Sequence, residues 1–262
     1  MTIDILERAV ERAKAGEAVA IVTVIETSGS VPGKTGFRMI VTPGETEGTV
    51  GGGALEKEAI REARELLAAR ASARTVRIKV SDIDMQCGGE VSIFIEPCRP
   101  AAALWIFGGG HIAKALVPMA AGAGFSVTVV DHRPEFADKA RFPQASRTLS
   151  APYAEAAGSM PPGAFVVIVT HGHAHDAEVL IESARIEPPL PYIGMIGSRH
   201  KVAATLETLR AAGVTPGPNL YTPIGLDLGG GTPGEIALSI ASEILGVLNG
   251  RRGLPHCRER KA

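Results

Sequence analysis

The segment Leu104-Trp105-Ile106-Phe107-Gly108-Gly109-Gly110-His111-Ile112-Ala113 constrains the fold of this chain more than any other. A short apolar run leads straight into three glycines and then into a helical pattern that continues to Ala123, which predicts a strand, a tight turn and a helix in succession. Gly108, Gly110 and Ala113 fit the spacing GxGxxG/A, and Asp131 ends the next predicted strand, 23 residues after Gly108. Such glycines let a phosphate approach the backbone, and the helix N-terminus adds unpaired N–H donors and partial positive charge. Asp131 is then expected to bond a ribose hydroxyl. The pattern points to a dinucleotide-type fold without choosing its chemistry.

The residues around this junction repeat its rhythm. Strands are expected at Leu104 to Phe107, Val127 to Asp131, Phe165 to Thr170 and Tyr192 to Ile196, and helices at His111 to Ala123, Ala177 to Arg185 and Lys201 to Ala212. Parallel neighbours need a crossover connection, so this alternation predicts a doubly wound parallel sheet, a Rossmann-like domain. Thr232-Pro233-Gly234-Glu235 predicts the start of a last helix, with an N-cap threonine, proline at the first helical position and glutamate three after the cap.

The first hundred residues read differently. Ala18 to Glu26 and Phe37 to Thr42 are expected strands, Ala54 to Arg70 an amphipathic helix, and Thr75 to Val80 and Val91 to Glu96 two further strands. Ile3, Leu6, Val10 and Ala13 lie at helical spacing. Pro97 to Ala103, with two prolines and no periodic pattern, reads as the linker. The expected division is an N-terminal α+β domain over 1–99 and the Rossmann-like domain over 100–262.

Composition narrows the function. Lys plus Arg (27) balance Asp plus Glu (28), which speaks against nucleic acid or an acidic membrane as partner and favours a small ligand. Three cysteines without a CxxC pair exclude a disulfide framework and fit a reducing compartment. With no basic region followed by an apolar run at its start, and no apolar stretch of about 20 residues, the chain is expected to be cytoplasmic with no membrane span.

Four further motifs carry chemistry. Thr170-His171-Gly172-His173-Ala174-His175-Asp176 ends an apolar strand, where open α/β sheets place their sites. Its imidazoles and carboxylate could bind zinc or shuttle protons. Asp176 could equally cap a helix and the histidines serve as polar loop residues. Cys87 lies in a glycine-flanked loop, Gln86-Cys87-Gly88-Gly89, where a thiol can be exposed and reactive. Gly197-Ser198-Arg199-His200-Lys201 gathers groups able to hold a phosphate or carboxylate, or else Ser198 caps a helix. Gly29-Ser30-Val31-Pro32-Gly33-Lys34-Thr35 approaches a Walker A loop but is one residue short and precedes an expected strand, so it reads as a turn. On these residues alone two enzymes stand open. One is an NAD(P)-dependent oxidoreductase using Asp131 and a histidine of the 171–175 loop, and the other is a zinc hydrolase built on that loop.

Taken together the motifs resemble the XdhC/CoxI family, the xanthine dehydrogenase accessory proteins. The resemblance rests on Gly48-Thr49-Val50-Gly51-Gly52-Gly53-Ala54-Leu55-Glu56, Gln86 to Val91, Gly108 to Ala113, and Asp131 with Arg133-Pro134-Glu135-Phe136. It extends through Gly172 to Asp176, Tyr192 to Arg199, and Pro223-Ile224-Gly225-Leu226-Asp227. It departs from the family pattern at Gly229-Gly230-Gly231 and Gly234, which loosen the loop before the last helix, and at His132, which follows Asp131 where another residue is common.

The resemblance implies a non-catalytic accessory protein. Such a protein binds the molybdenum cofactor, as molybdopterin or its cytosine dinucleotide form, protects it during sulfuration, and delivers it to an apo xanthine dehydrogenase or related molybdenum hydroxylase. It further implies a cysteine desulfurase as partner. The pterin phosphate is expected on the N–H groups at Gly108, Gly109 and Gly110, next to His111 and Asp131, with Cys87 facing the molybdenum. His173, His175, Asp176, Ser198 and Arg199 are the remaining expected cofactor contacts. A homodimer is the default expectation, symmetric dimers being the commonest oligomer.

Overall fold

A computed structural model describes residues 2–83 and 88–251. The chain divides into two compact units, Met1–Pro100 and Ala101–Ala262. The first comprises α1 (Thr2–Lys14), β1 (Val19–Gly29), β2 (Arg38–Val41), β3 (Thr46–Gly48), α2 (Gly53–Ala68), β4 (Arg74–Lys79) and β5 (Gly89–Cys98). Its five strands form an antiparallel sheet in the order β3-β2-β1-β5-β4.

Side chains of β1 alternate between two buried layers, as the period of two along a strand requires. Ala20, Val22 and Val24 pack with Leu55, Ala59, Ala63 and Leu66 of α2, while Val19 and Ile21 pack with Ala9 of α1 on the other face. The helical spacing of Ile3, Leu6, Val10 and Ala13 matches α1. Leu6 and Val10 of α1 are exposed, and the helix turns Ala9, with Ile5 beside it, to the sheet. The expected linker is also shorter than its prolines suggest: β5 runs to Cys98 in register with Val19, since Pro97 and Cys98 extend the β1 pairing.

The second unit comprises β6 (Ala103–Phe107), α3 (His111–Gly122), β7 (Ser126–Asp131), β8 (Arg147–Ser150), α4 (Tyr153–Gly158), β9 (Phe165–Ile168) and α5 (His173–Ala184), then β10 (Tyr192–Met195), α6 (Arg199–Ala211), β11 (Leu220–Tyr221) and α7 (Pro233–Leu248). The six strands run parallel in the order β11-β10-β9-β6-β7-β8. Leu104 and Ile106 of β6 face a layer that includes α3 and α7, and Trp105 and Phe107 face the layer of α4, α5 and α6. The sheet is therefore doubly wound, and the chain reverses its direction of travel at β6, between β7 and β9. That switch point is where such sheets open a crevice at the carboxyl ends of their strands.

Among the described residues no helix is long and apolar enough to cross a membrane. β3, β8, α4 and β11, each six residues or fewer, are too short to show a period in the sequence.

The last helix begins as its sequence signature demands. Thr232 accepts from the backbone N–H of Glu235 at 3.3 Å, and Glu235 Oε2 accepts from the N–H groups of Thr232 (2.9 Å) and Gly231 (3.0 Å). These bonds from Thr232 and Gly231 hold the Glu235 carboxyl below its ordinary range. They also tether the glycine-rich loop that the sequence alone suggests is loose. Replacing Thr232 by Ala is expected to lower stability by about 1 kcal/mol, read as a lower urea midpoint at unchanged slope. An unchanged midpoint would show that the cap contributes nothing.

Candidate functional site

The carboxyl edge of the parallel sheet is organised around Asp131, the last residue of β7, whose side chain is fully buried. Its Oδ2 accepts from the Gly109 N–H at 2.9 Å and from Arg133 Nη2 at 3.0 Å. Its Oδ1 accepts from the Arg133 backbone N–H at 3.0 Å and from Arg133 Nε at 2.9 Å. A carboxylate offers about four acceptor sites, so this one is saturated by its own chain. Burial alone would push the acid up. The hydrogen bonds from Arg133 and Gly109 outweigh it and hold Asp131 at about 2.

That saturation redefines the role expected of Asp131. A ribose hydroxyl would have to displace Arg133, whose guanidinium also lies 3.8 Å from the centroid of the Phe136 ring. Arg133-Pro134-Glu135-Phe136 is thus the strap that closes the turn: Arg133 grips Asp131, and the Phe136 carbonyl lies where a Cβ on Gly109 would fall.

The three glycines divide their tasks. Gly108, at φ +108°, donates its N–H to the Val130 carbonyl at 2.8 Å, and a Cβ on it would stand 2.5 Å from the Val169 carbonyl. Gly109 donates to Asp131. The N–H groups of Gly108 and Gly109 are therefore committed internally, contrary to the expectation that all three glycines present donors. Gly110, the N-cap of α3, has open space around its Cβ position. The first turn of α3, from His111, carries N–H groups that have no intrahelical acceptor.

A second buried carboxylate orders the next part of the rim. Asp176, fully buried, accepts from Thr170 Oγ1 at 2.5 Å and pairs with Lys201 Nζ, joining the end of β9 to α6. Asp176 is therefore not a helix cap. Gly172 is the N-cap of α5, and the helix starts at His173, four residues before the expected Ala177. His173, His175 and Asp176 consequently sit in a helical first turn and not in a loop. Ser198 caps α6, accepting from the Lys201 N–H at 3.3 Å. The side chains of His173 and Arg199, and the whole of Cys87, lie outside the described residues.

The structure adds His132 to two histidines, His171 and His175, that the sequence already groups after β9. His132, His171 and His175 each offer a ring nitrogen within 4.8 Å of the others. Their ring centroids are 5.0 to 5.4 Å apart, and Tyr153 lies edge-on to His132 and His175 at 5.2 Å. Desolvation, with the charges of Arg133 and the neighbouring imidazoles, pushes His171 below its ordinary value. The Tyr153 hydroxyl, buried and near the Asp131 charge, is pushed above its ordinary value by both. The only signals for His132 in the sequence are its position beside Asp131 and its departure from the family pattern.

Two expectations follow from the Asp131 clamp. A carboxyl held at about 2, against 3.8 as its ordinary value, favours the folded state when ionised. The clamp's contribution of about 2 kcal/mol is fully present above pH ~5 and is lost as pH falls from ~4 towards 2. The stability gap between the parent and Asp131→Asn, followed by denaturant unfolding at pH 7 and pH 3, should narrow at the lower pH. Gly109→Ala, whose Cβ meets the Phe136 backbone, is expected to cost about 1–3 kcal/mol at either pH.

Comparison with known proteins fits this geometry. Residues 104–244 match the family described as the XdhC Rossmann domain, and residues 12–79 match the XdhC and CoxI family. The uncharacterized protein YqeB of Escherichia coli (strain K12) is 32% identical over 246 residues, covering 89% of this chain and 44% of YqeB. A probable subunit of xanthine dehydrogenase from Bacillus subtilis (strain 168) is 31% identical over 156 residues, covering 59% of this chain and 45% of that protein. The chain thus spans less than half the length of these curated relatives. A crystal structure described as a xanthine dehydrogenase from Bacillus halodurans shares the fold, with a TM-score of 0.54 at 23% identity over 96% of both chains. With the Rossmann-domain match running through most of the second unit and a relative aligned over nearly all of the chain, this protein belongs to the XdhC and CoxI family.

Proposed function

We propose that this protein is an accessory protein of xanthine dehydrogenase or a related molybdenum hydroxylase. In this reading it binds the molybdenum cofactor, supports its sulfuration with a cysteine desulfurase, and passes it to the client enzyme. Family membership supports the association with xanthine dehydrogenase. One structural observation carries the ligand class: the N-terminus of α3 opens at Gly110 with free space before it, at the switch point of a parallel sheet.

The residues present fit a phosphate-bearing pterin. The N–H groups of Gly110 and the first turn of α3 would hold its phosphate, with His111 beside them. Ser198 and Arg199, at the start of α6, would take a further anionic group such as that of the cytosine dinucleotide form. Asp131 and Asp176 would act by positioning, since both are saturated or ion-paired within the rim. His173 and His175, on the first turn of α5, are the next contacts. When bound, the cofactor supplies the molybdenum centre that the client uses. Cys87 is the proposed thiol in contact with that centre. The nicotinamide reading is disfavoured by the same clamp, because it needs a free acceptor on Asp131.

The test follows Trp105, the only tryptophan of the chain, which lies in β6 three residues before Gly108. Anaerobic titration with molybdenum cofactor should perturb its fluorescence saturably, and titration with NADH should not. The opposite pair of results would replace this reading with an oxidoreductase. Gly110 has φ −77° and open space, so Gly110→Val keeps the fold while filling the cradle. It should weaken cofactor binding by about tenfold or more, roughly the loss of one charge-assisted contact. Cys87→Ser should abolish sulfuration support, and wild-type behaviour would remove Cys87 from the mechanism.

A further inference from the structure

We infer that His132, His171 and His175 form a binding site for a late first-row divalent metal ion, with zinc as its representative. The residues come from two places in the chain: His132 follows β7, while His171 and His175, four residues apart, lie just after β9 and in the first turn of α5. The doubly wound sheet brings them to one rim, where a nitrogen of each lies within 4.8 Å of the other two. This inference goes beyond the accessory role and does not depend on it.

The geometry is close to what a metal requires. A tetrahedral zinc bound at 2.0–2.1 Å sets its ligand nitrogens about 3.3 Å apart. The cluster therefore has to contract by at most ~1.5 Å, a movement within reach of side-chain rotation. His132 and His171 are exposed and can make it without repacking the core.

The environment favours the same occupant. Three imidazoles in contact repel one another when protonated, whereas a shared cation turns their lone pairs into a common ligand set. Glu178 Oε2 lies 3.4 Å from His175 Nδ1, the type of outer carboxylate that orients a metal-binding imidazole. On one side Tyr153 packs edge-on against His132 and His175. A set of imidazoles without a carboxylate or thiolate suits zinc, copper or nickel better than magnesium or calcium. Three protein ligands on an exposed rim leave the fourth position open to water or an anion.

The test uses the untagged 262-residue protein, stripped with a chelator and re-equilibrated with zinc alone. Elemental analysis should give about one equivalent per chain, and competition with a chromophoric chelator should give the affinity. His132→Asn and His175→Asn should each weaken zinc binding by about tenfold or more at unchanged far-ultraviolet circular dichroism. With Cu2+ in place of zinc, the nitrogen hyperfine structure of the parent's electron paramagnetic resonance spectrum should simplify in both variants. Less than about half an equivalent in the parent, or variants within tenfold of it, would overturn the site. So would loss of binding in His173→Asn or His200→Asn with retention in His132→Asn. No cofactor enters the assay, so its failure and the failure of the accessory reading are separate results.

Discussion

The rim of the second unit depends on one buried carboxylate. Taking the Asp131 anion out of water is costly unless every lone pair finds a donor, and the chain supplies those donors from two directions. Gly109 contributes from the turn after β6, and Arg133 contributes both its backbone and its guanidinium. The same four bonds that neutralise the charge fix the turn to the strap. Because the Phe136 carbonyl fills the space above Gly109, the strap and the turn can coexist only if that residue lacks a side chain. Sequence, strap and turn are therefore one unit, and the open N-terminus of α3 is what they leave exposed.

Asp176 repeats the arrangement one connection further along the sheet. It too is fully buried, and it too is neutralised by a cation from another segment, Lys201 of α6, with Thr170 as the additional donor. The histidines stand next to these anchors: His132 follows Asp131 and His175 precedes Asp176. Two rigid carboxylate anchors thus set the spacing of side chains that are themselves exposed or half-buried. This accounts for three imidazoles converging on a loop-built rim, where unanchored loops would let them diverge.

Much of this is legible in the sequence, for identifiable reasons. The Gly108 turn, Asp131 and the Thr232 cap are local signatures, and each determines its own conformation within a few residues. The early start of α5 is hidden because Gly172-His173-Ala174-His175 reads as loop chemistry, and only the burial of Asp176 with Lys201 draws those residues into a helical turn. The role of Asp131 is obscured in a similar way. A carboxylate 23 residues after a glycine turn invites a ribose, yet Arg133, two residues on, is already its partner. Tyr153 and His132 meet through the fold alone, since they come from α4 and from the end of β7.

Glycine-rich motifs in this chain are better read by what surrounds them than by their count. Gly33, in the loop that resembles a phosphate-binding sequence, faces the Val50 carbonyl 2.6 Å from its Cβ position, and Gly51 faces Gly33 at 2.7 Å. The two motifs of the first unit therefore interlock backbone to backbone, and neither of these glycines presents room for a ligand. Gly108 and Gly109 are of the same packing kind. Gly110 has nothing within 4 Å of its Cβ position and a helix N-terminus follows immediately, whereas at Gly52, the equally open N-cap of α2, the N–H is already donated to Glu56 Oε2 at 2.9 Å. Of the two glycine turns that resemble phosphate-binding sequences, Gly29 to Thr35 and Gly108 to Ala113, the second combines an open glycine with a helix N-terminus. The physical basis for placing an anionic ligand in the second unit is that combination.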